Sequence, residues 1–206
     1  SFIKAALVEV QTGNSIARSR VPEVEIAMES QHTGWAEQDP NIWWEYLCKA
    51  TQKLLAEAQI KANQISSVGI SYQMHGLVLV DRDLNPLRKS IIWCDSRATS
   101  YGERAFKKLG KPYCKDHLLN SPGNFTASKL AWVIENEPEL YHKAYKLMLP
   151  GDFLVAKLSG VAQTTITGLS EGIFWDFKND TPSKILFDYY KIDKSLVPDI
   201  IDNFKV

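Results

Sequence analysis

The stretch Gly69-Ile70-Ser71-Tyr72-Gln73-Met74-His75-Gly76-Leu77-Val78-Leu79-Val80 decides how this chain is read. Apolar residues on both sides of a polar corner give one strand, a sharp turn and a second strand. The corner gathers an amide (Gln73), a thioether (Met74) and an imidazole (His75) at the end of a sheet. A second polar cluster, Trp93-Cys94-Asp95-Ser96-Arg97, closes another apolar run. Two such clusters at strand ends are how an α/β protein builds a small-molecule site.

Working outward, residues 5–10 and 15–24 read as strands joined by Gln11-Thr12-Gly13-Asn14, whose Gly-Asn pair signals a hairpin. Residues 25–39 are irregular. Asp39 and Pro40 then form a helix start, a cap followed by proline in the first turn. Trp43, Tyr46, Leu47, Ala50, Leu54 and Ala58 make a core-facing stripe on that helix to about Gln59. Strands are expected over 65–71, 77–80 and 90–93. Helices are expected over 95–109, 126–136 and from Pro138 through Lys146. A strand over 147–149, a helix over 152–158, strands over 161–167 and 172–175 and a helix over 182–190 complete the pattern. Hairpin strands followed by strands alternating with helices imply an α/β fold, a mixed sheet with flanking helices.

The totals narrow the function. The chain has 206 residues, 45% hydrophobic and 23% charged, which suits an ordinary globular core. Lys and Arg number 24, as do Asp and Glu, so the formal net charge is zero. That balance argues against nucleic acid and a polybasic membrane surface as partners. No apolar run reaches the roughly 20 residues of a membrane-spanning helix. Ser1-Phe2-Ile3-Lys4 leads into a strand-like run rather than a secretory signal. Cys48, Cys94 and Cys114 fit neither a disulfide framework nor a zinc pattern, so they are expected as reduced thiols in a cytoplasmic protein. His32, His117 and His142 lack ligand spacing, and no metal site is expected. The chain starts on a strand without Met and stops at Asn203-Phe204-Lys205-Val206, which suggests a piece of a longer protein cut at both ends.

The two clusters also carry a family resemblance. Gly69 to Gly76 followed by Trp93-Cys94-Asp95-Ser96-Arg97 resembles the FGGY carbohydrate kinases, and within them the xylulokinases. Gly34-Trp35-Ala36-Glu37-Gln38 with Trp43-Trp44, Phe125-Thr126-Ala127-Ser128-Lys129-Leu130, Asn136-Glu137-Pro138-Glu139 and Leu149-Pro150-Gly151-Asp152-Phe153-Leu154 agree in order. The resemblance implies a ribonuclease H-like, actin-like ATPase fold, of which residues 1–206 are the first, sugar-binding lobe. It also implies ATP with Mg²⁺ as cofactors and a sugar as the other small-molecule partner. Oligomeric state is open, a homodimer included. Ser1 and Lys4 match only the end of the family's phosphate-binding turn. The family's catalytic Asp, in a Gly-Asp-Asn or Gly-Asp-Gln motif, falls beyond this chain. Asp202-Asn203 lacks the preceding Gly and is not taken for it, so no catalytic residue is assigned.

Under that resemblance the substrate contacts are Gln73, Met74, His75, Asp95, Arg97 and Asn124. His75 suits a hydroxyl, since imidazole both donates and accepts. Met74 offers an apolar wall, and Met-His at the corner favours a ketopentose over glycerol. Several alternatives stay open. His75 can be a structural histidine, Asp95 can cap the following helix, and Asp95 and Arg97 can pair with each other. Asn124 can be a loop turn, Lys4 a solvated strand-end residue, and Trp93 core packing. Three functions remain: a kinase for D-xylulose, a kinase for another sugar or polyol (ribulose, glycerol, gluconate), and a non-catalytic sugar-binding module of the same fold.

Overall fold

Leu77, Val78, Leu79 and Val80 are all fully buried, and their alternation explains the architecture. Leu77 and Leu79 face one apolar cluster, while Val78 and Val80 face another. A strand buried on both sides must lie in a sheet covered by helices on both faces. The structure is a computed structural model that describes residues 2–203.

In chain order, β1 (Ile3–Val8) and β2 (Ser15–Val21) precede β3 (Glu37–Gln38) and α1 (Pro40–Ala58). Then come β4 (Val78–Val80), β5 (Ser90–Ile91), α2 (Thr99–Leu109) and α3 (Lys111–Tyr113), which runs into a π-helical turn at Cys114–Leu118. They are followed by α4 (Thr126–Asn136), α5 (Pro138–Lys143), β6 (Lys146–Met148), α6 (Pro150–Ser159) and β7 (Gln163–Thr165). The chain continues through α7 (Ile166–Glu171), β8 (Trp175–Asp176), β9 (Thr181–Pro182), α8 (Lys184–Tyr190) and β10 (Asp199–Ile201).

The β1–β2 hairpin is antiparallel, in register from Ile3↔Val21 to Leu7↔Ala17, and packs on α1. β3 pairs with β5, β5 reaches β4 through the Leu77↔Ile91 bridge, and β4 pairs with β6. β7 and β10 pair in parallel, so the pairing is mixed as expected. Trp43 on α1 and Phe153 on α6 cover one side of β4. Leu130 and Val133 on α4 and Phe187 on α8 cover the other. The α1 reading holds in detail, with the Asp39 carboxylate accepting from the Asn41 N–H at 2.9 Å. Of the two adjacent tryptophans, Trp43 is buried and Trp44 only partly so. No helix among the described residues is long and apolar enough to cross a membrane.

Five expectations are corrected, one being the strand over 172–175, where Gly172 and Ile173 form a turn and only Trp175 enters a strand, β8. Residues 65–71 have no strand partner among the described residues, and Val68 is 70% exposed. Strand periodicity alone cannot make a strand without a neighbour to complete its ladder. The helix expected at Asp95 starts at Thr99, because the Asp95 carboxylate holds the Arg97 N–H in a local turn. The helix from Pro138 stops at Lys143, since Lys146–Met148 is drawn out to pair with β4. The strand expected over 161–167 is cut short by α7, whose start is capped by the Thr165 hydroxyl accepting from the Gly168 N–H at 3.0 Å.

Asp152, in the first turn of α6, joins that helix to β7. Its Oδ2 accepts from the Leu149 N–H at 3.2 Å and from the Thr164 hydroxyl at 3.0 Å. Burial outweighs both bonds and pushes the carboxyl up to about 6. The folded chain therefore holds this proton more tightly than the unfolded chain, so the group's contribution is fully present at about pH 4 and is lost as pH rises through about 6. Urea denaturation of the protein between pH 4 and 7 should show a downward component of up to about 3 kcal/mol, flattened in Asp152→Asn.

Candidate functional site

Lys129 joins the two strand ends. It lies in α4, most of whose residues are buried, and is itself 0% exposed. Its Nζ donates to the His75 carbonyl at 2.7 Å and to the Ile92 carbonyl at 2.9 Å. One cation thus fixes the corner after 69–73 against the end of the β5 run. Burial pulls the ammonium down to about 8, with Asp95 opposing. The Thr126 hydroxyl adds a bond to the Gly76 carbonyl at 3.3 Å.

His75 has a left-handed backbone, φ 60°, uncommon for a residue with a side chain. Its N–H donates to Glu171 Oε1, and its Nδ1 lies 2.6 Å from the same oxygen. The Phe125 ring meets the imidazole edge-on at 4.1 Å between centroids. Two glycines let the corner close. A Cβ on Gly76 would stand 2.5 Å from Pro150 Cγ, and one on Gly151 would stand 2.1 Å from the Tyr72 ring. Met74 is half exposed. Gln73 Oε1 is buried without a hydrogen-bond partner among the described residues.

The second cluster is turned inward. Asp95 is 0% exposed, and its Oδ2 accepts from the Ala36 N–H at 2.6 Å and from Arg97 Nη2 at 2.7 Å. Its Oδ1 takes the Arg97 backbone N–H at 2.9 Å. The Arg97 guanidinium lies 3.8 Å from the Trp35 ring centre and 4.8 Å from that of Trp132, and its Nη1 is 2.8 Å from Glu37 Oε1. Arg88 shares Glu37 and reaches Glu137 at 3.2 Å. Asp95 and Arg97 therefore pair with each other, and the helix-cap alternative for Asp95 does not hold. Trp93 is half exposed rather than core. Asn124 Nδ2 donates to the Asp95 carbonyl, while its buried Oδ1 has no partner among the described residues.

The structure thus brings Gln73, His75, Asp95, Arg97 and Asn124 into one connected region through Lys129 and Asn124. Lys4 stands apart on β1. It is exposed on the same hairpin face as Arg18 and Arg20, a basic surface of the kind that attracts phosphate. Ser1 lies outside the described residues. A concavity of about 460 Å³ lined by Arg82, Tyr145, Lys146 and Asp199 is remote from the corner in sequence and has none of its residues. Among the described residues no group of three His, Cys, Asp or Glu is placed to hold a metal ion. The sequence reading gave no role to Lys129 or Glu171. A lone lysine in an apolar helix face was a usable signal for the first. Glu171 was hidden because its helix follows a segment that reads as strand.

Replacing Lys129 by Met keeps an unbranched chain and leaves two carbonyls without their donor, at about 1–3 kcal/mol for each buried acceptor. Relief of the buried charge offsets part of this. Lys129→Met should lower urea stability by about 2 kcal/mol, and it should also loosen ligand binding at the corner in a calorimetric titration. Unchanged stability would remove Lys129 from its bridging role.

Comparison with known proteins shows the family. The model of the FGGY family of carbohydrate kinases, N-terminal domain, matches residues 1–206. A xylulose kinase from Staphylococcus xylosus is 34% identical over 174 residues, covering 82% of this chain and 35% of that protein. A crystal structure described as a xyloylose kinase from Brucella ovis superposes with TM-score 0.86 at 26% identity, over 98% of this chain and 40% of that one. A gluconate kinase from Lactobacillus acidophilus gives TM-score 0.84 at 23% identity, over 100% and 41%. The chain spans about two fifths of the length of these relatives and has their actin-like, ribonuclease H-like fold. It belongs to the FGGY family of carbohydrate kinases, as an N-terminal domain of that family.

Proposed function

We propose that the corner is one wall of a sugar site in an ATP-dependent kinase, and that the sugar is D-xylulose, phosphorylated on its 5-hydroxyl. The observation that carries the reading is the pair of buried acceptor oxygens without partners among the described residues, Gln73 Oε1 and Asn124 Oδ1. They sit on the segments that carry His75 and the Phe125 ring packed against it. Orphaned buried acceptors call for a ligand rich in donors, and a polyol supplies one hydroxyl proton for each. Relatives named xylulose kinase support the ketopentose.

Phosphoryl transfer asks a protein mainly for positioning and charge stabilisation. In this proposal the chain supplies the positioning. Gln73, His75 and Asn124 hold hydroxyls, and Met74 closes the apolar side. Asp95 and Arg97 keep the wall in shape rather than touching the sugar. Lys4, with Arg18 and Arg20, faces the phosphates. No group of three His, Cys, Asp or Glu side chains is gathered among the described residues, and no step here is assigned to the metal. No catalytic base is assigned among the described residues.

A kinase assay of the full-length protein with D-xylulose, ribulose, glycerol and gluconate tests the reading. Turnover with D-xylulose is expected, and His75→Ala should raise the KM for that sugar by about tenfold, the equivalent of one lost hydrogen bond. Turnover with gluconate or glycerol alone would reassign the substrate. Binding of a sugar without turnover of any would favour a non-catalytic module.

A further inference from the structure

We propose that Glu171 is a positioning residue for His75, fixing the ring so that its Nε2 meets a ligand hydroxyl as an acceptor. The inference rests on the reading of the corner as a sugar site. Glu171 Oε1 takes the His75 backbone N–H and lies 2.6 Å from Nδ1, at ion-pair distance though not aligned for a ring N–H hydrogen bond. A carboxylate only accepts, so an approach this close is favourable only with a proton on Nδ1. In the neutral ring the lone pair is then left on Nε2. The same carboxylate clamps the left-handed backbone of His75, φ 60°. The Phe125 edge sets the ring from another side.

Glu171 is itself held. It ends α7, and the next carbonyl, that of Gly172, accepts from the Ala127 N–H at 3.0 Å, tying this turn to the start of α4. Its other oxygen, Oε2, is buried without a hydrogen-bond partner among the described residues. With Gln73 Oε1 and Asn124 Oδ1, the corner thus presents acceptors and a negative charge. That combination suits a neutral polyol or ketose, whose hydroxyls donate, and opposes the carboxylate of an acid sugar.

Imidazole ¹⁵N shifts in the full-length protein, with His75 assigned through His75→Gln, give a readout independent of turnover. A wild-type ring protonated on Nδ1 is expected, and one protonated only on Nε2 would overturn the proposal whatever the variants do. Glu171→Ala should release the ring toward the Nε2–H form and raise the KM for D-xylulose by about tenfold with a smaller change in kcat. Glu171→Gln, whose Oε1 still accepts, should recover part of that loss. An unchanged KM and tautomer in Glu171→Ala would also overturn it. If the wild type turns over no sugar, the kinase reading fails, while the ring shifts still decide the role of Glu171.

Discussion

A single buried ammonium determines how the rest of the site is arranged. Two strands end side by side, and each leaves a carbonyl pointing into the protein, one from His75 and one from Ile92. Strand pairing cannot satisfy them, because the chain turns away at both places. Lys129 reaches both from α4. Burying a charge is costly, and the lowering of this ammonium to about 8 records that cost. The benefit is that two segments far apart in sequence are held at a fixed separation before any ligand arrives. Preorganisation of this kind spares a binding site the entropy of ordering itself.

Around that bridge the polar groups divide into two kinds. Asp95, Arg97, Glu37, Arg88 and Glu137 form a chain of ion pairs flanked by Trp35 and Trp132, in which Arg88 Nη1, Arg97 Nη1 and Glu137 Oε2 meet an opposite charge without an aligned hydrogen bond. Such a network is rigid when complete and expensive to break at one member. The other kind keeps an atom in reserve. Gln73, Asn124 and Glu171 each hold a buried oxygen that nothing in the described chain satisfies. The first set makes the wall, and the second set gives the wall its chemistry.

Much of this was legible in the sequence. The corner at 72–76 and the cluster at 93–97 stood out because polar residues interrupt apolar runs, and β4, β5 and α1 followed from periodicity and capping. What escaped notice depended on tertiary pairing. Residues 65–71 carry a strand pattern but lack a neighbour, and the helix read through Lys146 stops at Lys143 because Lys146 is claimed by β4. Glu171 lies 96 residues from His75, and no local pattern announces a partner at that distance. For Asp95 the pairing with Arg97 was among the open readings, while its bond to a distant backbone was not visible for a related reason. A carboxylate before a helix reads as a cap or a ligand, whereas its true partners are Arg97 and the backbone of Ala36, 59 residues earlier.

The central claim is that a preformed, acceptor-lined corner held by Lys129 receives a neutral sugar. The most direct measurement is a crystal structure of the full-length protein with D-xylulose bound. Sugar hydroxyls should lie within about 3.2 Å of Gln73 Oε1, Asn124 Oδ1 and His75 Nε2, with Lys129 still bonded to both carbonyls. A sugar seated away from the corner, or one whose binding displaces Lys129 from those carbonyls, would contradict it.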